Sequence, residues 1–370
     1  MYLVNCYRNL RLSTQLPLYP LRISPYGDAM PPQRFHHVDL LRGLAAFAVL
    51  VTHYQYLYLG FHSDAKLPLN GILWPLYHYG GFAVQLFWSL SGFVFAKAYS
   101  SDVPFRRFAV HRIARLYPLH FVTLLVVAAL QAVSWMTHGR WEVYQGNDLP
   151  HFVLHLFFAS NWFTTAETFN APIWSVSVEV LVYFLFFAYL RHSKLWLASL
   201  LCVAGLAAQA LSHNNIAQCT SMFFVGVLIA RLPSVRLRWG VGLWLAMVAG
   251  CSALNALGHA ASVPRIVLYV GCPLTLLMFI SFDTSRRLSR KWRWIGAITY
   301  AVYLVHMPIL IAMRLAFGEL VHQNLASPGL LAIWLVTVIL IAIPTHYLFE
   351  KPAQDWIRWL LLKDTPRSVS

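Results

Sequence analysis

An all-α, polytopic membrane fold is what this sequence predicts, and three observations predict it. Only 11% of its 370 residues are charged, against about a quarter in a soluble domain. Hydrophobic residues make up 59%, and the mean hydropathy is +0.58. Apolar runs near the roughly 20 residues that cross a bilayer core recur along the chain, separated by short basic loops.

The formal net charge of +15 does not indicate nucleic acid, because that partner needs a clustered basic face on a soluble fold. Basic residues between apolar runs act instead as topology signals. The five cysteines, Cys6, Cys202, Cys219, Cys251 and Cys272, form no CxxC pair. Neither a disulfide framework nor a metal site is therefore expected, and they read as small buried hydrophobes.

Residues 1–33 are rich in Pro, Arg and Leu and lack the apolar run of a signal peptide. They are expected to form a poorly ordered cytoplasmic tail, with Met30 an alternative start. A membrane domain is expected over 34–358, with ten spans at 38–59, 82–98, 117–135, 172–190, 195–211, 217–231, 240–257, 265–282, 294–316 and 329–349. The run 149–163 is too short and His-rich to span. It reads as a re-entrant or interfacial element between the third and fourth spans. Residues 359–370 form a closing tail, with no soluble domain expected beyond it.

Basic residues orient this layout. With the N-terminus inside, 23 of the 28 lie in cytoplasmic stretches and two, Lys66 and Arg140, lie clearly outside. The asymmetry predicts both termini in the cytoplasm. An odd number of spans would scramble it.

Polar residues inside the spans carry the chemistry. The first helix holds Asp39, Arg42 and His53. Arg42 and His53 are eleven residues apart, about three turns plus 20°, so they share a face roughly 16 Å apart. Ionisable groups within a membrane span are costly and are functional candidates by default. His53 and Glu179, on the first and fourth spans, both fall roughly 10 Å below the outer ends of their helices. A histidine meeting a carboxylate in a low dielectric is a way to make and orient a general base.

Arg112 and Arg115, three apart at the start of the third span, point the same way. With Arg106 and Arg107 they suit an organic phosphate, or serve only as a topology signal. His306, beside Tyr303 on the ninth span, is either functional or a hydrogen-bonded core residue. Glu350 is expected to pair with a loop arginine. Phosphate-loop, HExxH and GxSxG motifs are absent, which leaves nucleotide hydrolysis, zincin and serine-hydrolase chemistry unsupported.

These residues resemble the motifs of the acyltransferase-3 family of integral membrane O-acyltransferases. VDLLRGLAAFAVLVTHY is similar to its first-helix signature, an Arg and a His separated by ten residues (Arg42, His53). FAVQLFWSLSGFVFAKAY resembles its LSGF element, with Ser91, Gly92 and Phe93. RFAVHRIARLYP resembles its Arg-x-x-Arg element (Arg112, Arg115), and APIWSVSVEVLVYF its W-S-L-S-x-E element (Trp174, Ser175, Ser177, Glu179). ITYAVYLVHMPI is similar to its S-Y-x-x-Y-L-x-H element, with Thr299 in place of Ser, then Tyr300, Tyr303 and His306. FEKPAQ resembles its closing E-x-P element (Glu350, Pro352). Six motifs in the family's order cover residues 34–358.

The resemblance implies transfer of an acyl group, usually acetyl, from cytoplasmic acetyl-CoA to a hydroxyl of a surface glycan or its lipid-linked precursor. It implies a multi-pass protein of the bacterial inner membrane, with acyl-CoA, the glycan acceptor and membrane lipids as partners and no nucleic acid. The family's fused extracytoplasmic hydrolase-like domain has no counterpart in the sequence, so the protein is expected to act alone or pass the group on. His53 is then the general base, oriented by Glu179, with Arg42 for a phosphate or the oxyanion. Arg112 and Arg115 would hold the nucleotide, with Asp39, Ser91, Ser177, Tyr303 and His306 in support. Direct transfer and an acyl-enzyme on Ser91, Ser175 or Ser177 both remain open. The alternative class is a proton-coupled transporter or flippase, with His53, Glu179 and His306 as a proton relay. Outer aromatics such as Trp74, Trp141, Tyr144 and Trp162 suit either sugar stacking or an interfacial belt.

Overall fold

The computed structural model describes residues 36–57, 67–232, 236–281 and 293–363, and all regular structure among them is helical. The expected tail at 1–33, Lys66, the basic run at 286–291 and residues 364–370 lie outside the described residues.

Helix α1 runs His36–His53 and ends in a 3-10 turn, Tyr54–Leu57. Short α2 (Asn70–Tyr79) leads through another 3-10 turn into α3 (Ala83–Ala98). Next come α4 (Phe105–His138), the brief α5 (Leu149–Leu156), α6 (Ile173–Leu190), α7 (Leu195–Ser212) and α8 (Asn215–Ile229). Helix α9 is Leu237–Ala256, and α10 (Val263–Ile266) continues through a π segment into α11 (Cys272–Ile280). The chain closes with α12 (Arg293–Gln323), α13 (Pro328–Pro344), a π segment Thr345–Glu350 and α14 (Lys351–Leu362).

Over their described residues, all ten expected spans are helical or nearly so. Among the described residues, eight helical stretches are long and apolar enough to cross a membrane. The other two differ for physical reasons. Helix α8 has 15 residues, and α1 dilutes its apolar run with His37, Asp39, Arg42 and His53. Helix α4 starts twelve residues earlier than the apolar run alone suggests, at Phe105. Its 34 residues rise about 51 Å, well beyond the roughly 30 Å hydrocarbon core. The basic residues Arg106, Arg107, Arg112 and Arg115 all fall in its first three turns. The run 149–163 yields only α5, capped by Asp148. That carboxylate accepts from the His151 backbone N–H at 3.0 Å and lies 2.6 Å from its Nδ1. The bonds hold Asp148 below the ordinary carboxylate range, the backbone one first.

Small residues set the closest helix contacts. A Cβ on Gly92 would collide with the Phe223 carbonyl, and one on Gly226 with the Ser89 carbonyl, so α3 and α8 meet backbone to backbone. Gly296 similarly faces Asp39, and Gly43 faces Ile295, which brings α12 alongside α1. The resulting core encloses Trp88, Trp334, Phe186 and Phe223.

Candidate active site

The α1–α12 contact carries two polar clusters, one at each end. At one end, His53 Nδ1 lies 3.1 Å from His306 Nε2, with the rings stacked at 4.9 Å between centroids. His306 is fully buried. Its Nδ1 lies 3.2 Å from the Val302 carbonyl, one turn earlier on α12.

That chain of contacts assigns the protons. A carbonyl only accepts, so His306 Nδ1 carries hydrogen and donates to Val302. For two neutral rings, His306 Nε2 is then an acceptor and His53 Nδ1 must donate to it. The basic lone pair of His53 falls on Nε2 by this hydrogen-bond logic.

Sequence explains why His306 is held so firmly. Pro308 lacks an N–H, which releases the Leu304 carbonyl from its helical bond. Asn170 Nδ2 donates to that carbonyl at 3.0 Å. Tyr303 donates to the Pro172 carbonyl at 2.9 Å and lies 2.8 Å from Ser175 Oγ, tying α12 to the start of α6. Around His53, Thr52 and Gln55 donate to the carbonyls of Leu76 and Tyr77, and Tyr54 to that of Leu325. Trp334 donates to Leu50, so the backbone on both sides of His53 is pinned.

The other end is cationic. Arg42 pairs with Asp39 at 3.6 Å. Arg112 stacks over Phe95 and Tyr99, and its Nε, although buried, has no hydrogen-bond partner. Arg115 forms an ion pair with the fully buried Glu350, so the expected arginine partner of that glutamate is Arg115. Glu350 also accepts from Gln354 and contacts His346 at 2.8 Å. Glu179 lies beside Ser91 and Tyr183, within electrostatic reach of Arg42, Arg112, Tyr300 and Tyr303. Its Oε1 is buried without a hydrogen-bond partner.

The expected contact between His53 and Glu179 is not what the structure brings together. His53 meets His306, and Glu179 joins the arginines. Equal depth along two helix axes does not make the helices neighbours, and α1 runs beside α12. Of the three serines, Ser177 accepts from the Asn161 N–H and is fully buried, and Ser175 bonds Tyr303, while Ser91 adjoins Glu179.

A third network escaped the sequence. Buried Glu142 accepts from Arg314 Nε at 2.7 Å, and Arg314 Nη1 donates to the Tyr56 carbonyl at 2.8 Å. Tyr56 in turn stacks on His53 at 5.5 Å and donates to Glu167 at 3.4 Å. Arg314 is visible as a charge inside an apolar run. Glu142 and Glu167 sit in polar loops, where an acid carries no signal.

Comparison with known proteins adds chemistry to this geometry. Residues 35–347 match the family described as an acyltransferase domain. Over 365 residues the chain is 27% identical to acyltransferase MdmB of Streptomyces mycarofaciens, covering 85% of this chain and 90% of that one. It is 24% identical to the putative membrane-bound transacylase BcsY of Komagataeibacter xylinus, covering 89% and 86%. Nodulation protein 10 of Rhizobium leguminosarum bv. viciae is 26% identical, covering 86% and 93%. No solved structure matches significantly.

Proposed function

The chain belongs to the acyltransferase-3 family of membrane acyltransferases, and on that premise we propose that it acetylates a hydroxyl of an exported or surface glycan from cytoplasmic acetyl-CoA. Membership decides between the two classes the sequence left open, since the protein is an acyltransferase rather than a transporter. Both termini are taken as cytoplasmic, which puts the arginine end on the donor side and the histidine end on the acceptor side.

In this scheme the phosphates of coenzyme A dock on Arg112 and Arg115, where guanidinium forks bind phosphate oxygens in pairs. Glu350 fixes Arg115, and Arg112 keeps an unsatisfied Nε. The pantetheine arm follows the polar seam past Arg42, Glu179 and Tyr303 to His53. About 16 Å of helix separates Arg42 from His53. Arg42 therefore serves the donor's phosphates or arm rather than the oxyanion at the reacting carbon.

His53 Nε2 takes the proton from the acceptor hydroxyl as its oxygen bonds to the thioester carbon. The C–S bond breaks, the acetyl group becomes an ester, and the thiolate of coenzyme A leaves and picks up a proton. Transfer is taken as direct; Ser175 and Ser177 already hold structural hydrogen bonds, which leaves Ser91, beside Glu179, as the candidate for an acyl-enzyme route. The His53–His306 contact carries this scheme, since it leaves the basic lone pair on a defined atom. Positioned proton transfer is worth about 10²–10⁴-fold. His53→Ala should lower acetylation by that order while acetyl-CoA binding and folding persist. Wild-type acetylation in His53→Ala would remove the general base from the scheme.

A further inference from the structure

Beyond Tyr56, on the side of the histidine pair away from the arginines, a cavity of 720 Å³ opens between the end of α4, the segment after it and the last turns of α12. That volume falls within the roughly 300–1,000 Å³ of small-molecule sites. Tyr56 is common to both sites, lining the cavity and stacking on His53. A molecule bound here shares a neighbour, Tyr56, with the base.

The geometry points to this cavity as the acceptor subsite, with Trp141 as the platform for one uncharged sugar ring. The assignment rests on the acyl-transfer reading above. Two observations give the ligand class. The first is the wall. Trp141 is half-buried, lines the cavity, and is stacked on Trp135 at 4.6 Å. A fixed indole offers the flat apolar face that the C–H side of a pyranose covers, while Gln145 and the charged groups nearby meet its hydroxyls.

The second is the charge balance. Among the described lining residues the arginines are Arg140 and Arg314, and the carboxylates are Glu142 and Glu319. Arg314 bonds Glu142 at 2.7 Å, and Arg140 lies 3.7 Å from the same carboxylate. Glu319 accepts from Gln323 at 2.8 Å. Two arginines on one carboxylate, with Glu319 and Gln323 beside them, present donors and acceptors side by side, as sugar hydroxyls require. Counted formally, the two arginines balance the two carboxylates, and His138 and His322 complete the polar lining. That leaves no surplus guanidinium for a carboxylate or phosphate on the ligand, whose desolvation would go uncompensated.

The test uses the full-length protein in vesicles with acetyl-CoA on the arginine side. p-Nitrophenyl β-glucoside and p-nitrophenyl β-glucuronide are offered in turn on the other side. The glucoside should be acetylated, with the glucuronide at least about tenfold poorer in kcat/KM. Trp141→Ala should raise KM for the glucoside about tenfold, the order of lost ring contact. Acetyl-CoA affinity should be unchanged, and Trp141→Phe should recover most of the loss. Equal or better use of the glucuronide, or an unchanged KM in Trp141→Ala, would overturn the subsite. So would acetyl-CoA binding with neither glycoside acetylated, although the donor half of the reading would survive. Failure of wild-type protein to bind acetyl-CoA would bring down the acyl-transfer reading itself, and the subsite with it.

Discussion

His53 and His306 share a single hydrogen bond, and the proton in it decides what each ring can do. His306 spends its Nδ1–H on Val302 and its Nε2 lone pair on His53. It therefore acts through His53, as a positioning residue. His306→Gln keeps an acceptor for the His53 Nδ1–H, and His306→Ala does not. Rates with acetyl-CoA should thus fall in the order wild type, His306→Gln, His306→Ala, with the alanine variant losing part of the roughly 10²–10⁴-fold owed to base catalysis. Michaelis constants for the donor should barely move. Equal rates for the two variants would mean that His306 supplies packing rather than orientation. At this scale the sequence was informative about identity and poor about partnership. His53, Arg42 and His306 stand out because charge is rare in apolar runs, whereas Arg112 sits in a basic stretch that reads equally as a topology signal. The bond between His53 and His306 is not legible, because depth along an axis says nothing about which helices are neighbours. Glu142 is invisible for the opposite reason: an acid in a polar loop is ordinary until Arg314 is seen to reach it.

Helices were legible through their apolar runs, since a span must satisfy its own backbone in lipid. Their closest contacts were less so. Gly92 appears in a family motif, but its role emerges from what it faces, the Phe223 carbonyl on α8. Gly226 faces Ser89 on α3 in the same way. Gly92→Val should force α3 and α8 apart and lower thermal stability in detergent by about 1–3 kcal/mol or more, as overpacking does. An unchanged melting curve would show that the contact is loose. The same substitution at Gly242, which meets no atom within 4 Å, should be tolerated and serves as the control. Proline residues mark another limit of pattern reading. Pro308 looks like a helix breaker, yet α12 runs through it because Asn170 takes up the released carbonyl. The expected end of that span at 316 coincides with a real departure from helical geometry at Phe317.

Across the whole molecule, α1 connects two environments. Its first turns carry Asp39 and Arg42 among arginines, and its last residue stacks on His306 beside a cavity. Glu179 and Tyr303, from α6 and α12, are the polar groups that link the two ends, as an enzyme needs if donor and acceptor meet from opposite faces of a membrane. The most direct test of that arrangement supplies radiolabelled acetyl-CoA to only one face of sealed vesicles of known orientation, with the acceptor on the other. Label should reach the acceptor only when the donor is on the cytoplasmic face, and His53→Ala should lower the transfer by about 10²–10⁴-fold without loss of donor binding. Equal labelling with the donor on either face, or undiminished labelling in His53→Ala, would contradict the account.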